Sequence, residues 1–160
     1  MFDVRSVFAA LRPKPGPRDA FERGVVALDS GDHMAAVCEF DAALVDAQDD
    51  DARAAIHNKR GVALVALGRR PEALDAFCAA LAHDERCAPA LVNLGNMLLE
   101  DGHPHDAIDH YEAALRADEN YSAAYRNLGI ALRRLGRRAE AVRALRSADR
   151  LAGRPRRSRA

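Results

Sequence analysis

The chain has 160 residues, of which 49% are hydrophobic and 30% charged, a balance that fits one soluble globular domain and excludes a chain too polar to fold. No apolar run approaches the ~20 residues needed to cross a bilayer, and the first 20 residues lack the apolar core and cleavage site of a signal peptide. Many alanines, 5% aromatic residues and no tryptophan favour helices over strands. The sequence therefore predicts a soluble helical domain.

The formal net charge of zero hides a strong asymmetry along the chain. Residues 1–125 carry a net charge of −10, and residues 126–160, with 12 arginines and two acidic residues, carry +10. Opposite fields of this kind favour an acidic protein partner, a membrane surface or head-to-tail self-association. Simple solvation of the last helix is an alternative. Nucleic acid is disfavoured, because stacking aromatic residues are missing from the arginine-rich tail.

Glycines reveal an internal repeat. Eight of the ten glycines form four pairs with a spacing of seven residues, and the first glycines of successive pairs lie 37, 34 and 34 residues apart. An alanine follows the first glycine of each pair after twelve residues, and a large side chain follows after sixteen. These positions are Gly24, Gly61, Gly95 and Gly129; Ala36, Ala73, Ala107 and Ala141; and Phe40, Phe77, Tyr111 and Leu145.

Each unit is predicted to form two antiparallel helices. Apolar residues recur at spacings of three and four, which is typical of one buried helical face. The first glycine and the alanine remove side-chain bulk where the two helices cross. The second glycine of each pair ends the first helix, because glycine adopts the left-handed conformation at little cost. The predicted helices are 19–30, 33–47, 52–67, 70–83, 88–101, 104–117, 122–135 and 138–152.

The third unit, with Leu91, Leu94, Gly95 and Gly102, resembles the tetratricopeptide repeat, a helix–turn–helix unit of 34 residues. The resemblance covers residues 17–153 and implies an all-α, right-handed solenoid of stacked antiparallel helix pairs. Units one and two depart from the pattern, since Arg23 and Arg60 stand where leucine usually precedes the glycine. All four units also lack the proline of the family near the end of the second helix.

Four segments follow from this reading. Residues 1–11 form a short amphipathic segment, residues 12–17 a proline-rich hinge, residues 18–153 the four-unit solenoid and residues 154–160 an arginine-rich tail. Written as a helix, the first segment places Val4, Val7, Phe8 and Leu11 on one face. Such a short helix needs a surface on which to fold. We expect that surface to be either the first repeat of this chain or a partner or membrane.

The resemblance also implies a binding groove. In tetratricopeptide proteins the first helices of successive units line a concave surface that binds peptide segments, and asparagines there bond to the ligand backbone in some members. The corresponding residues here include Phe21, Val25, Leu28, Asn58, Lys59, Val62, Val65, Val92, Asn93, Asn96, Leu99, Arg126, Asn127, Ile130, Arg133 and Arg134. The set of Lys, Asn and Arg that captures chaperone tails in other members is not reproduced.

Catalytic and cofactor motifs are absent from the sequence, so we expect no enzyme activity and no cofactor. His103, His105 and His110 lie near one turn, but they supply no complete metal-ligand set. His57 is expected to be a core histidine with satisfied hydrogen bonds. The number of cysteines is odd and no CxxC pair occurs, which predicts reduced thiols in the cytoplasm. We expect these cysteines to be buried as small apolar residues. They are Cys38, Cys78 and Cys87.

The sequence thus predicts a non-catalytic protein-interaction module or scaffold that binds a partner segment in its groove. One alternative is a structural subunit held permanently in a larger complex, either in solution or at the periphery of a membrane. A weaker alternative is electrostatic binding of nucleic acid through the arginine-rich end.

Overall fold

A computed structural model describes residues 17–153, which form eight helices and no strands. The all-α repeat fold is confirmed, and every helix begins and ends within two residues of its predicted bounds. The amphipathic segment, the arginine-rich tail and all of the hinge except Pro17 lie outside the described residues. The helices are α1 (Pro17–Asp29), α2 (His33–Asp46), α3 (Asp50–Ala66), α4 (Arg70–His83), α5 (Ala88–Glu100), α6 (Pro104–Ala117), α7 (Ser122–Arg134) and α8 (Arg138–Ala152).

The turn inside each repeat has the same geometry. Its glycine has a positive φ, which is +84° at Gly102. There the N–H of Gly102 donates to Leu99 O at 3.3 Å and the N–H of His103 to Leu98 O at 2.9 Å, the paired bonds of a Schellman motif. Matching pairs of bonds follow α1, α3 and α7. Glycine therefore ends each first helix and sends the chain back antiparallel.

Helix contacts give the stack its curvature. Within the described residues, each helix packs on its neighbours in sequence, and α1, α3, α5 and α7 also contact one another in succession. The second helices, α2, α4, α6 and α8, make no contacts among themselves. The first helices therefore lie closer together and form the inner face of the curve.

The glycine of each first helix makes room for the large residue sixteen positions later. A Cβ added at Gly24 would stand 2.6 Å from Phe40 Cε1, and one added at Gly95 would stand 2.6 Å from Tyr111 Cε1. Gly61 has the same relation to Phe77, and Gly129 to Leu145. The ring or branched side chain thus packs directly on the backbone of the helix it crosses, where no other residue than glycine would leave space.

The buried core divides between the second and third repeats. One cluster joins repeats one and two and includes Leu94 and Met97 of α5, while the other joins repeats three and four. Leu81 packs against both, and against a small third cluster around Cys87.

None of the described helices has the length and hydropathy needed to cross a membrane.

The three extra residues between units one and two lengthen a helix instead of a loop. The helix α3 has 17 residues, whereas α1, α5 and α7 have 13 each. Asp49 caps this longer helix, since its carboxylate accepts from the N–H of Ala52 at 3.3 Å, and Asp50 and Asp51 occupy its first turn. Acidic residues at that end stabilise the additional turn through the helix dipole.

Candidate functional site

The inner face carries most of the expected groove residues at or near the surface. Three expected lining residues are buried instead. Asn58 is 8% exposed. Val92 and Leu99 are 4% and 6% exposed, in the core of the last two repeats, where α5 packs against α7. The other expected residues are accessible: Phe21, Val25, Leu28, Lys59, Val62, Asn93, Asn96, Asn127 and Ile130 are half-buried, and Val65, Arg126, Arg133 and Arg134 are exposed.

Side-chain amides connect the first helices of repeats two, three and four, and we call these residues the asparagine network. Asn93 Nδ2 donates to the buried Asn58 Oδ1 at 2.8 Å, and Asn127 Nδ2 donates to Asn96 Oδ1 at 2.7 Å. Asn96 Oδ1 also accepts from the Tyr111 hydroxyl at 2.9 Å. Among the described residues, Asn58 Nδ2 and Asn127 Oδ1 have no partner. The same holds for Asn93 Oδ1 and Asn96 Nδ2, which are the free acceptor and the free donor of the two central amides.

A depression of about 130 Å³ lies beside the asparagine network, between α3 and α5. Its wall combines the two amides with apolar side chains, and one carboxylate lies at its edge. A peptide unit offers one N–H and one C=O, which match the free acceptor and the free donor. The lining residues are Val62, Val65, Phe77, Asn93, Asn96 and Glu100.

Tyr111 holds the network in place from below. Its side chain is fully buried, and burial raises the pKa of Tyr111 to about 12, a shift that the Arg134 charge opposes and the Glu100 charge reinforces. The hydroxyl stays protonated at neutral pH and keeps donating to Asn96. Arg134 Nη1 donates to Leu99 O at 2.6 Å, which holds a positive charge near the network.

Arg70, which the sequence reasoning missed, connects the second and third repeats. Its Nη1 donates to Glu100 Oε2 and its Nη2 to Asp101 Oδ1, both at 2.7 Å. The hydrogen bond to Glu100 is the main cause of the raised pKa of Arg70. Nothing in the local pattern links residues 30 positions apart, so only the stacking of the repeats identifies this contact.

The fourth repeat keeps unpaired positive charge. Arg137 donates to Glu140 at 2.7 Å, an exposed pair within one helical turn. Arg126 and Arg133 are exposed and have no ion-pair partner among residues 17–153. The end of the inner face formed by α7 is therefore basic and open to an acidic group.

The histidine expectation is wrong. His57 is half-buried, and its buried Nδ1 has no hydrogen-bond partner within residues 17–153. Its ring stacks on that of His83, with centroids 5.6 Å apart and planes 10° apart. Burial, followed by the charge of His83, lowers the pKa of His57. His83 Nδ1 in turn lies 2.9 Å from Asp50 Oδ1, so the pair ties α4 to the start of α3.

The cysteines were expected to be buried, and this is wrong for two of them. Cys38 and Cys78 are exposed, and only Cys87 is buried among these three free thiols. Their positions on helices or at helix ends were predicted from the repeat pattern, whereas the exposed side of each helix depends on packing. His103 and His105 are also exposed, and no three His, Cys, Asp or Glu residues within the described range are placed to hold a metal ion.

The family follows from the repeats and their match to known models. One tetratricopeptide repeat model matches residues 87–152, and another matches residues 21–90 and 58–102. These matches span all four repeats, and the chain belongs to the tetratricopeptide repeat family. The family is known for protein–protein interaction and is typically non-catalytic. A comparison with curated proteins finds no match.

Solved structures share the fold at low identity. MamA is 24% identical with a TM-score of 0.70, over 92% of this chain and 84% of MamA. PilF of Pseudomonas aeruginosa is 24% identical with a TM-score of 0.75, over 84% of this chain and 60% of PilF. The second tetratricopeptide domain of Spaghetti (RPAP3), bound to an HSP90 peptide, is 23% identical with a TM-score of 0.58, over 62% of this chain and 92% of that domain.

Proposed function

We propose that this protein is a non-catalytic, cytoplasmic interaction module that binds an extended segment of a partner protein on its inner face. The observation that carries the proposal is the asparagine network, which leaves Asn93 Oδ1 and Asn96 Nδ2 free beside an apolar depression. Free thiols at Cys38 and Cys78 fit a reducing compartment.

The network is ready to bind before a ligand arrives. Bonds from Asn127 and Tyr111 hold the Asn96 amide in one orientation, so its free N–H needs no reorientation when a peptide carbonyl approaches. A receptor of this kind loses little side-chain entropy on binding. Each hydrogen bond to the ligand backbone contributes about 0.5–1.5 kcal/mol.

Two further features select the ligand. The depression of about 130 Å³ accepts a small apolar side chain, and the exposed Arg126 and Arg133 favour an acidic residue toward the fourth repeat. The RPAP3 domain, a neighbour with the same fold, binds a peptide, which supports an inner face of this shape as a peptide site.

A display library of random peptides tests the proposal. Peptides are selected on the full chain and then measured by calorimetry against the parent, against Asn93→Ala with Asn96→Ala, and against Asn120→Ala. Asn120 is an exposed asparagine in the loop between α6 and α7, so it serves as the matched control. The loss of two bonds of ~1 kcal/mol each corresponds to a roughly 30-fold weaker affinity in the double variant.

The control variant should bind as the parent does, and circular dichroism should show equal helicity in all three proteins. Selected peptides that bind the double variant and the parent equally would place recognition outside the groove. If the library yields no binder, the alternative of a permanently assembled subunit becomes the better reading.

A further inference from the structure

A second cavity, of about 760 Å³, lies where the first and second repeats meet. It is bounded by the first turns of α1, the end of α2 and the first two turns of α3. Its volume falls within the ~300–1,000 Å³ typical of ligand sites, and it is distinct from the depression at the asparagine network. The residues that carry the argument are Phe21, Val45, Ala47, Ala52, Ala55 and Ile56.

The extra turn of α3 forms one wall of this cavity. Ala52 and Arg53, in the first turn of α3, line it, and Arg53 Nε donates to Ala47 O at 2.8 Å, which ties the wall to the end of α2. Val45, near the end of α2, also lines the cavity and is 81% exposed. With the exposed Ala55 and the half-buried Phe21 it forms a contiguous apolar surface, which is typical of a site that another segment covers.

The described chain begins beside this cavity. Pro17 starts α1, and Phe21, one helical turn later, lines the cavity. At ~3.3–3.6 Å per residue, residues 12–16 span at most about 18 Å, so residue 11 is tethered close to the opening. Such a short tether holds the preceding segment at a high local concentration.

We propose that residues 1–11 of the same chain fill this cavity and cover Val45. Their sequence places Val4, Val7, Phe8 and Leu11 on one helical face, which supplies apolar side chains for an apolar site. A helix this short is not stable in water alone, and the cavity provides the surface it requires.

Charge supports this occupant over an arbitrary apolar partner. The lining of the cavity carries Asp46, Asp49 and Arg53, a net charge of −1, and residues 1–16 carry Asp3, Arg5, Arg12 and Lys14, a net charge of +2. Opposite charges at the edge of an apolar contact favour one partner and orientation over others. The segment thus covers the apolar surface that is left open where the first and second repeats meet.

A single tryptophan tests the proposal, because the chain contains none. The substitution Phe8→Trp is made in the full chain, and its emission maximum and its quenching by acrylamide are measured. We expect a blue-shifted emission and quenching several-fold weaker than that of free indole. Adding Val45→Asp, or independently Ala55→Lys, should shift the emission to the red and restore quenching.

The matched control is Val142→Asp, which alters a half-exposed valine on α8 at the other end of the stack and should leave the emission unchanged. Circular dichroism identifies any variant that fails to fold. Three outcomes overturn the proposal: an indole exposed in the parent background, a buried indole insensitive to both cavity variants, and burial that rises with protein concentration. The last would identify the occupant as a second copy.

Discussion

The packing of Gly95 against Tyr111 yields a quantitative prediction for Gly95→Ala. The new Cβ would lie 2.6 Å from Tyr111 Cε1 and 3.0 Å from Cδ1, whereas carbon atoms in contact are ~3.5–4.0 Å apart. Tyr111 is fully buried and its hydroxyl is bonded to Asn96, so the ring has no free space to enter. The two helices of the third repeat must therefore separate by about 1 Å.

Two costs and one opposing gain set the size of the effect. Overpacking of a filled core costs typically ~1–3 kcal/mol, and a weakened bond between Tyr111 and Asn96 costs about 1 kcal/mol more. Alanine is the better helix former, by ~1 kcal/mol over glycine. We therefore expect Gly95→Ala to lower the free energy of unfolding by about 1–3 kcal/mol.

Urea unfolding followed by circular dichroism measures this loss. Gly153→Ala is the control, because its added Cβ would meet only Asp149 O, at 3.5 Å, and it should not destabilise the protein. In a Tyr111→Ala background the cost of Gly95→Ala should disappear, since the two substitutions share one site. An equal loss in both backgrounds, or no loss in the parent, would refute the proposed packing.

Four smaller effects complete the expectations. Gly102→Ala should cost about 1–2 kcal/mol in the same urea assay, because its φ is +84°. The pKa of His57 is lowered in the folded protein, so the unfolded chain binds the proton more readily. The stability that neutral His57 contributes is therefore complete above pH ~6.5 and is lost as the pH falls below it. The difference between the melting temperatures at pH 7.5 and pH 5.5 should be smaller in His57→Gln than in the parent. Arg70→Met should destabilise the protein only slightly in the same urea assay, because its ion pairs are exposed, and the loss should shrink in 1 M salt. If the opposite charges of residues 1–125 and 126–160 drive association, sedimentation should be faster at low salt than at high salt.

The sequence alone determined the helices and the turns between them, because the signals involved are local. A glycine at the end of a helix, a proline at the start of the next and apolar spacings of three and four act over a few residues. The repeated spacing marked Gly95 and Ala107 as small residues at a helix crossing, whereas the packing of Tyr111 on Gly95 was seen only in the structure. The resemblance to the tetratricopeptide repeat implied an interaction groove on the first helices, including Asn93 and Asn127.

Several features of the site required the tertiary structure. Val92 and Leu99 share the helical register of groove residues, yet contact with the neighbouring repeat buries them. The insertion before the second repeat is visible in the sequence as a spacing of 37 residues, but only the structure shows that it adds a turn to α3 and one wall to a cavity. Burial of Val92 and Leu99 depends on a helix that lies about 34 residues away in the chain.

The centre of the asparagine network shows both contributions. The third repeat differs from the others at two positions, the residue directly after the first glycine and the residue sixteen positions after that glycine. The first, second and fourth repeats have apolar residues at both positions, whereas the third has Asn96 and Tyr111. That paired change to polar residues was visible in the sequence. The third partner, Asn127, comes from the next repeat, and only stacking brings its amide to Asn96. Hydrogen bonds act over about 3 Å, so the packing distance between repeats decided which of these amides meet.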